Sequence, residues 1–257
     1  MIDSRPISSN LVTGLARSYN PLQSRRDLEK LIYKTIVISG VEPLHKFSPH
    51  KLINDILINY HKGESTLKAL LVDRFIKTKV TAAFEIRVNN SRADFLTING
   101  DSKSFEIKSE LDNLSKLVKQ VSDYEKVFDF NYIVIDEKHY QKVIQLIPDR
   151  YGILVLEKCR LVEKRNGKLN DKHDVAKQLN LFSKKEFSDA FKIPGISKEE
   201  VSVNFSDNEI NEQFKRMLKK RYAKRRDFLV SNVAKINPID YQFFFQHNLE
   251  PEIIYNR

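Results

Sequence analysis

Two short segments around Asn99-Gly100 place charged side chains where a sheet is otherwise expected. They are "RADFLTI" before the turn and "KSFEIKS" after it. In the second, Phe105 and Ile107 share one face of an extended strand, and Glu106 and Lys108 share the other, because side chains alternate with a period of two. Asn-Gly is a strong hairpin signal, and a turn there folds Asp94 back toward Glu106. Two close carboxylates repel unless a cation lies between them. Hard cations such as Mg²⁺ (or Mn²⁺) take one or two carboxylates and keep several waters. The Ile107 carbonyl is a further oxygen donor. The Lys108 ammonium can orient a bound water, help deprotonate it, or offset charge on a phosphate. The same spacing fits a surface hairpin with an ordinary salt bridge, which is the commoner use of E-x-K on a strand. Strongly apolar neighbours and a third carboxylate, Glu85, on the preceding segment favour the metal reading.

The elements that must hold these residues follow from periodicity. "TAAFEIRVNN" alternates, with Phe84, Ile86 and Val88 on one face and Glu85 and Arg87 on the other, so residues 80–109 read as a three-stranded antiparallel meander. Three helical segments precede it, within "PLQSRRDLEKLIYKTIVIS", "SPHKLINDILINYH" and "ESTLKALLVDRFIKT". "SELDNLSKLVKQVSDYEKVF" is expected to be helical from its start. Ser109 or Asp112 would cap it, and Leu114, Leu117, Val118 and Val121 would form its buried stripe. "NYIVID" reads as a strand, "EKHYQKVIQLI" as a helix stopped by Pro148, and "GILVLEKCRLVEKR" as a strand continuing through a second strand toward the Asn166-Gly167 turn. The expected fold class is therefore α+β (α/β), a central mixed β-sheet flanked by helices, with N-terminal and C-terminal helical additions. The expected division is a weakly ordered lead-in over 1–20, a core domain over 21–165, and a mainly helical basic region over 166–257.

The run "RADF…FEIKSELDNLSKLVKQVSDYEKVFD…NYIVIDEKH" resembles the PD-(D/E)xK nuclease superfamily, most of all a poorly characterised bacterial family with the pattern R-A-D…E-I-K-S-E-x-D-x-L…Q-x-x-x-Y. The resemblance covers roughly residues 80–157 and is most specific from Arg92 to Asp129. It implies a restriction-endonuclease-like core and a Mg²⁺-dependent phosphodiesterase, a deoxyribonuclease first. By position, Asp94 and Glu106 bind metal, Glu85 is the additional upstream acid, and Lys108 positions the attacking water and stabilises the transition state. Ala93 stands where the superfamily usually has proline. Gln120 and Tyr124 lie four apart on one helix face, and the resemblance turns that face toward the active-site cleft. Arg92 is a phosphate-contact candidate. The alternative is a nucleic-acid-binding or regulatory protein on the same fold with a silent site.

Bulk properties agree with a polyanionic partner. The 257 residues carry a formal net charge of +10, which favours nucleic acid first and acidic surfaces second. "KRMLKKRYAKRR" holds Lys215, Arg216, Lys219, Lys220, Arg221, Lys224, Arg225 and Arg226 without an acid, and reads as a nucleic-acid-binding helix. The six histidines, His45 among them, show no metal-ligand spacing. The single cysteine, Cys159, lies in an apolar stretch and is expected to be buried; one cysteine allows no internal disulfide and fits a reducing, cytoplasmic setting. No apolar run approaches a membrane span, and no P-loop or dinucleotide fingerprint is present. The aromatic "DYQFFFQHN" is expected to pack a C-terminal core or a self-association surface. The nuclease class allows a homodimer.

Overall fold

A computed structural model of the chain describes residues 7–36, 48–76, 78 and 80–256. His45 lies outside them. In chain order the elements are α1 (Ser9–Ser18), α2 (Arg25–Ile36), α3 (Pro49–Tyr60), α4 (Glu64–Ile76), β1 (Thr81–Val88), β2 (Ser91–Asn99), β3 (Asp101–Lys108), α5 (Leu117–Glu125), β4 (Phe130–Asp136), α6 (Tyr140–Leu146), β5 (Gly152–Glu157) and β6 (Arg160–Arg165). Helices α7 (Val175–Leu179), α8 (Lys184–Phe191), α9 (Lys198–Asn204), α10 (Asp207–Asn232), α11 (Tyr241–His247) and α12 (Pro251–Tyr255) follow. The described residues pack as two compact units. One joins the N-terminal segment through Arg74 to the segment from Asp227 onward; the other is Phe75–Arg226. Sequence punctuation suggests breaks near 20 and 165, but it cannot reveal that the two chain ends share a core. No helix among the described residues is long and apolar enough to cross a membrane.

The first unit is helical. Val12 and Leu15 of α1 pack with Leu28 and Ile32 of α2 and Ile53 and Ile56 of α3. The segment read as a weakly ordered lead-in thus contains a helix. Its own propensity is poor, with Asn10, Thr13 and Gly14 in ten residues, and tertiary burial of Val12 and Leu15 compensates. Helix α3 starts where expected: Pro49 occupies the first turn and the Ser48 hydroxyl accepts from the Lys51 N–H at 3.3 Å. The aromatic tail supplies core, since Tyr241, Phe244 and Phe245 are buried.

The second unit is built on a six-stranded sheet in the order β1-β2-β3-β4-β5-β6. The first three strands form an antiparallel meander, β3-β4-β5 are parallel, and β6 returns antiparallel. This is the mixed sheet flanked by helices expected from the sequence. One sheet face carries an aromatic row: the rings of Phe84 and Phe95 lie 5.2 Å apart, those of Phe95 and Phe105 5.8 Å, and those of Phe105 and Tyr132 5.2 Å. On the other face, Ile133 and Ile135 pack with Leu117 and Val121 of α5. Gly100, at φ +79°, makes the β2–β3 turn, a conformation that glycine adopts without a steric cost.

Two local expectations are corrected. Residues 109–116 are turns, and the helix begins only at Leu117. The Asp112 carboxylate accepts from both the N–H and the hydroxyl of Ser109 at 2.8 and 2.5 Å, and such local bonds compete with helix formation. Val118 consequently faces solvent instead of joining the stripe. Cys159 is exposed. It sits with Lys158 in the turn between β5 and β6, both at positive φ (61° and 45°), the backbone that a tight hairpin requires.

Candidate active site

Alternation puts Glu85, Asp94, Glu106 and Lys108 on the sheet face that α5 covers. Two departures from regular pairing open the sheet there. Between β1 and β2 the register holds at Phe84↔Phe95 and resumes at Ile86↔Ala93, with no pair at Glu85 and Asp94. Glu85 adopts φ 58°, a left-handed conformation that costs a β-region residue free energy and tends to occur at functional positions. Between β2 and β3 pairing stops at Phe95↔Phe105. Beyond that fork the Asp94 carboxylate takes over the strand's role and accepts the Ile107 N–H at 2.7 Å. An oxygen each of Glu85 and Asp94 lie within 4.8 Å of one another.

Glu106 sits at the centre. Its Oε1 accepts from Lys108 Nζ at 2.6 Å and from Gln120 Nε2, and its Oε2 accepts from the Tyr124 hydroxyl at 2.8 Å. The side chains of Glu106 and Lys108 are only 2% and 12% exposed. Burial pushes the Glu106 pKa up, and the Lys108 charge only partly opposes this. Burial, then the neighbouring Glu106 charge, drives the Tyr124 hydroxyl well above its ordinary range, so it stays a donor. The helix that presents Gln120 and Tyr124 is fixed from several sides. Tyr151 donates its hydroxyl to the Val121 carbonyl at 2.6 Å. Asp123 accepts from Asn89 at 3.4 Å and Ser91 at 2.5 Å, tying α5 to the β1–β2 turn. His139 Nε2 lies 2.9 Å from the Ser109 carbonyl. A carbonyl only accepts, so that nitrogen carries the proton and pins the turn leaving Lys108. Asp123, His139 and Tyr151 carried no sequence signal, because each acts through a contact about 30 residues away.

Glu85 forms an ion pair with the largely exposed Arg92. The carboxylate set fits a divalent cation in chemistry: Asp94, Glu85 and the buried Glu106 are hard oxygen donors on one face.

The basic run does not act as one surface. Lys215 is buried, 3.6 Å from Asp129 and 2.6 Å from Glu212. Arg221 makes two bonds to Glu186, at 2.8 and 2.7 Å, and one to the Leu181 carbonyl at 2.7 Å. Arg226 reaches the Val80 and Thr78 carbonyls at 3.3 and 3.4 Å. Arg216, Lys219, Lys220, Lys224 and Arg225 are exposed. Asp129 also binds Ser102 at the start of β3, so α10 is anchored about 13 Å along the strand from Glu106. Run and carboxylates occupy different ends of the sheet.

The profile of Bacteriophage P4 protein cII matches residues 59–244, more than two thirds of the chain. The chain belongs to the bacteriophage P4 protein cII family. The matched span takes in every residue of this site as well as the basic run. Among curated proteins, the tRNA modification GTPase MnmE of two Prochlorococcus marinus strains (AS9601 and MIT 9301) is 28% identical over 157 residues, 58% of this chain and 34% of theirs. The chain thus spans about a third of the length of these relatives. A solved structure of a Silicibacter pomeroyi protein of unknown function shares 17% identity and a TM-score of 0.35, covering 45% of this chain and 77% of that one.

Proposed function

We propose that this member of the P4 cII family is a metal-dependent nuclease of the PD-(D/E)xK type that hydrolyses phosphodiester bonds of nucleic acid, DNA first. The observation that carries the reading is the convergence of Asp94, Glu106, Lys108, Gln120 and Tyr124 at a point where β2 and β3 part. Asp94, Glu106 and Glu85 are the residues that would hold Mg²⁺ or Mn²⁺. When bound, such an ion would supply neutralising charge and make a coordinated water more acidic than bulk water. The protein's own residues do the rest. Asp94 is held in place by the Ile107 N–H. Gln120 and Tyr124 orient the Glu106 carboxylate and keep it from rotating. Lys108 Nζ, already a donor to Glu106 Oε1, holds a proton beside the position where a nucleophile forms and offers positive charge to a phosphoryl oxygen. Arg92, exposed at the rim, is the phosphate-contact candidate.

A nucleic-acid-binding protein with a silent site is the second reading. It is favoured by one observation: both oxygens of Glu106 already have donors. One experiment separates the two. The protein is incubated with supercoiled plasmid and Mg²⁺ or Mn²⁺, and divalent binding is followed by calorimetry. Cleavage is expected in the wild type and not in Asp94→Ala or Lys108→Ala, with ion binding lost in Asp94→Ala. Cleavage that persists in both variants sinks the site, and ion binding without cleavage by the wild type supports the silent reading.

A further inference from the structure

Helices α8 and α10 of the second unit enclose a groove of about 600 Å³ that the carboxylate site does not use. Its lining includes five cations, Lys185, Lys192, Arg216, Lys220 and Arg221, against two carboxylates, Glu186 and Asp189. Both acids are already occupied. Arg221 holds the Glu186 carboxyl down to about 2 through its hydrogen bonds, and Glu186 also closes a capping box with Ser183 at the start of α8. Lys220 lies 3.1 Å from Asp189. These pairs brace the two walls against each other. Lys185 and Lys192 form no ion pair among the described residues, and Arg216 has only the neutral Gln213 as a polar partner. Lys185 and Lys192 come from outside the basic run, while Lys215 and Arg226 of the run point elsewhere into buried contacts.

From this geometry we infer that the α8–α10 groove is a second nucleic-acid contact, a track for the phosphate backbone separate from the carboxylate site. The identity of the occupant rests on the nuclease reading above. The charge argument is local: cations from two helices line one braced concave surface, and their free members have no acid to satisfy them. Such a surface recognises phosphates by charge and releases condensed counterions, so its contribution is salt-dependent and independent of base sequence. Met217, Ala190 and the aliphatic stems of the long side chains add apolar surface to the lining.

The test uses the full chain and a fluorescein-labelled 20-base-pair duplex in EDTA, followed by anisotropy from 50 to 250 mM salt. Lys192→Glu and Arg216→Glu are each expected to weaken binding at least fivefold. Each should also make the slope of log K against log salt shallower by about one, the value for one lost phosphate contact. Lys142→Glu, the same charge change at an exposed position of α6, is expected to stay within twofold of wild type. Wild-type binding by both groove variants overturns the inference, as does an equal loss in Lys142→Glu. Displacement of the duplex by polyglutamate at equal charge concentration also overturns it and identifies an acidic peptide as the occupant. Because metal is absent, failure of cleavage leaves this result untouched, and loss of groove binding leaves the carboxylate site untouched.

Discussion

Asp129 and Glu106 are both buried carboxylates with a lysine nearby, serving opposite ends of β3, and they differ in what surrounds them. Asp129 accepts from the N–H and hydroxyl of Ser102 at 2.7 and 2.9 Å and from Asn211 at 2.8 Å, with Lys215 at 3.6 Å and His173 at 3.4 Å. Its partners come from a strand, a long helix and a loop, and Lys215 lies between it and Glu212. Glu106 takes its partners from its own strand and from α5, and it shares its sheet face with Asp94 and Glu85. Donors satisfy both acids, so the difference lies in the carboxylates that share the Glu106 face; like charges repel when brought close unless a cation lies between them.

Isosteric amides test that contrast most directly. Glu106→Gln is expected to lower Mg²⁺-dependent cleavage on the order of 10²- to 10⁴-fold while changing stability by less than about 1 kcal/mol, since lost pairing with Lys108 is offset by relieved desolvation. Asp129→Asn is expected to leave the chemistry in place and cost about 2–3 kcal/mol in urea denaturation, the worth of hydrogen bonds to a charged group. Equal destabilisation by the two would break the comparison.

A third buried carboxylate, Asp240 in the helical unit, has no cation paired with it among the described residues. Its Oδ2 accepts from the Tyr19, Tyr255 and Asn54 side chains at 3.0, 2.8 and 3.2 Å. Burial outweighs these donors and raises its pKa from 3.8 to about 6. A raised folded-state pKa means protonation favours the fold. The contribution, on the order of 3 kcal/mol, is full below about pH 4 and is lost as pH rises through 6. Wild-type stability should therefore fall across that window, and Asp240→Asn should remove the slope. His50, whose pKa burial lowers, contributes the opposite slope and is common to both proteins. A slope unchanged in Asp240→Asn would assign it elsewhere.

Divalent ions sharpen the contrast at a smaller scale. At a hundred times the dissociation constant, Mg²⁺ or Mn²⁺ should stabilise the wild type by about 2.7 kcal/mol, leave Asp94→Ala unmoved, and stabilise Asp129→Asn as much as wild type. Differential scanning calorimetry reads this. The smallest effect is expected from Tyr124→Phe. The Tyr124 bond lowers the Glu106 pKa, so its loss should move the acid limb of the pH–rate profile to higher pH, with about a tenfold drop in rate below neutrality. An unmoved limb would remove Tyr124 from the site.

The meander, its turn and the sharing of one face by Glu106 and Lys108 were legible because strand alternation and Asn-Gly are local signals. The start of α5 was not. Ser109 and Asp112 are good capping residues in isolation, but in the fold they bond to each other and hold the chain in turns. The basic run was legible as charge and misleading as a surface. Lys215, Arg221 and Arg226 look like their neighbours in sequence, yet tertiary contacts absorb them, while Lys185 and Lys192, far from the run, line the same groove as Arg216.

The sequence by itself determined the residue types at the site, their face, and the antiparallel order of the first three strands, since these depend on periods of two and on turn residues within a few positions. Tertiary structure decided that β2 and β3 part after Phe95, that Asp94 fills the gap by binding the Ile107 N–H, and that Gln120 and Tyr124 close on Glu106. It also decided that the chain ends join in one unit. Those outcomes depend on which buried polar groups find partners across long chain separations, and burial makes each such pairing all-or-none.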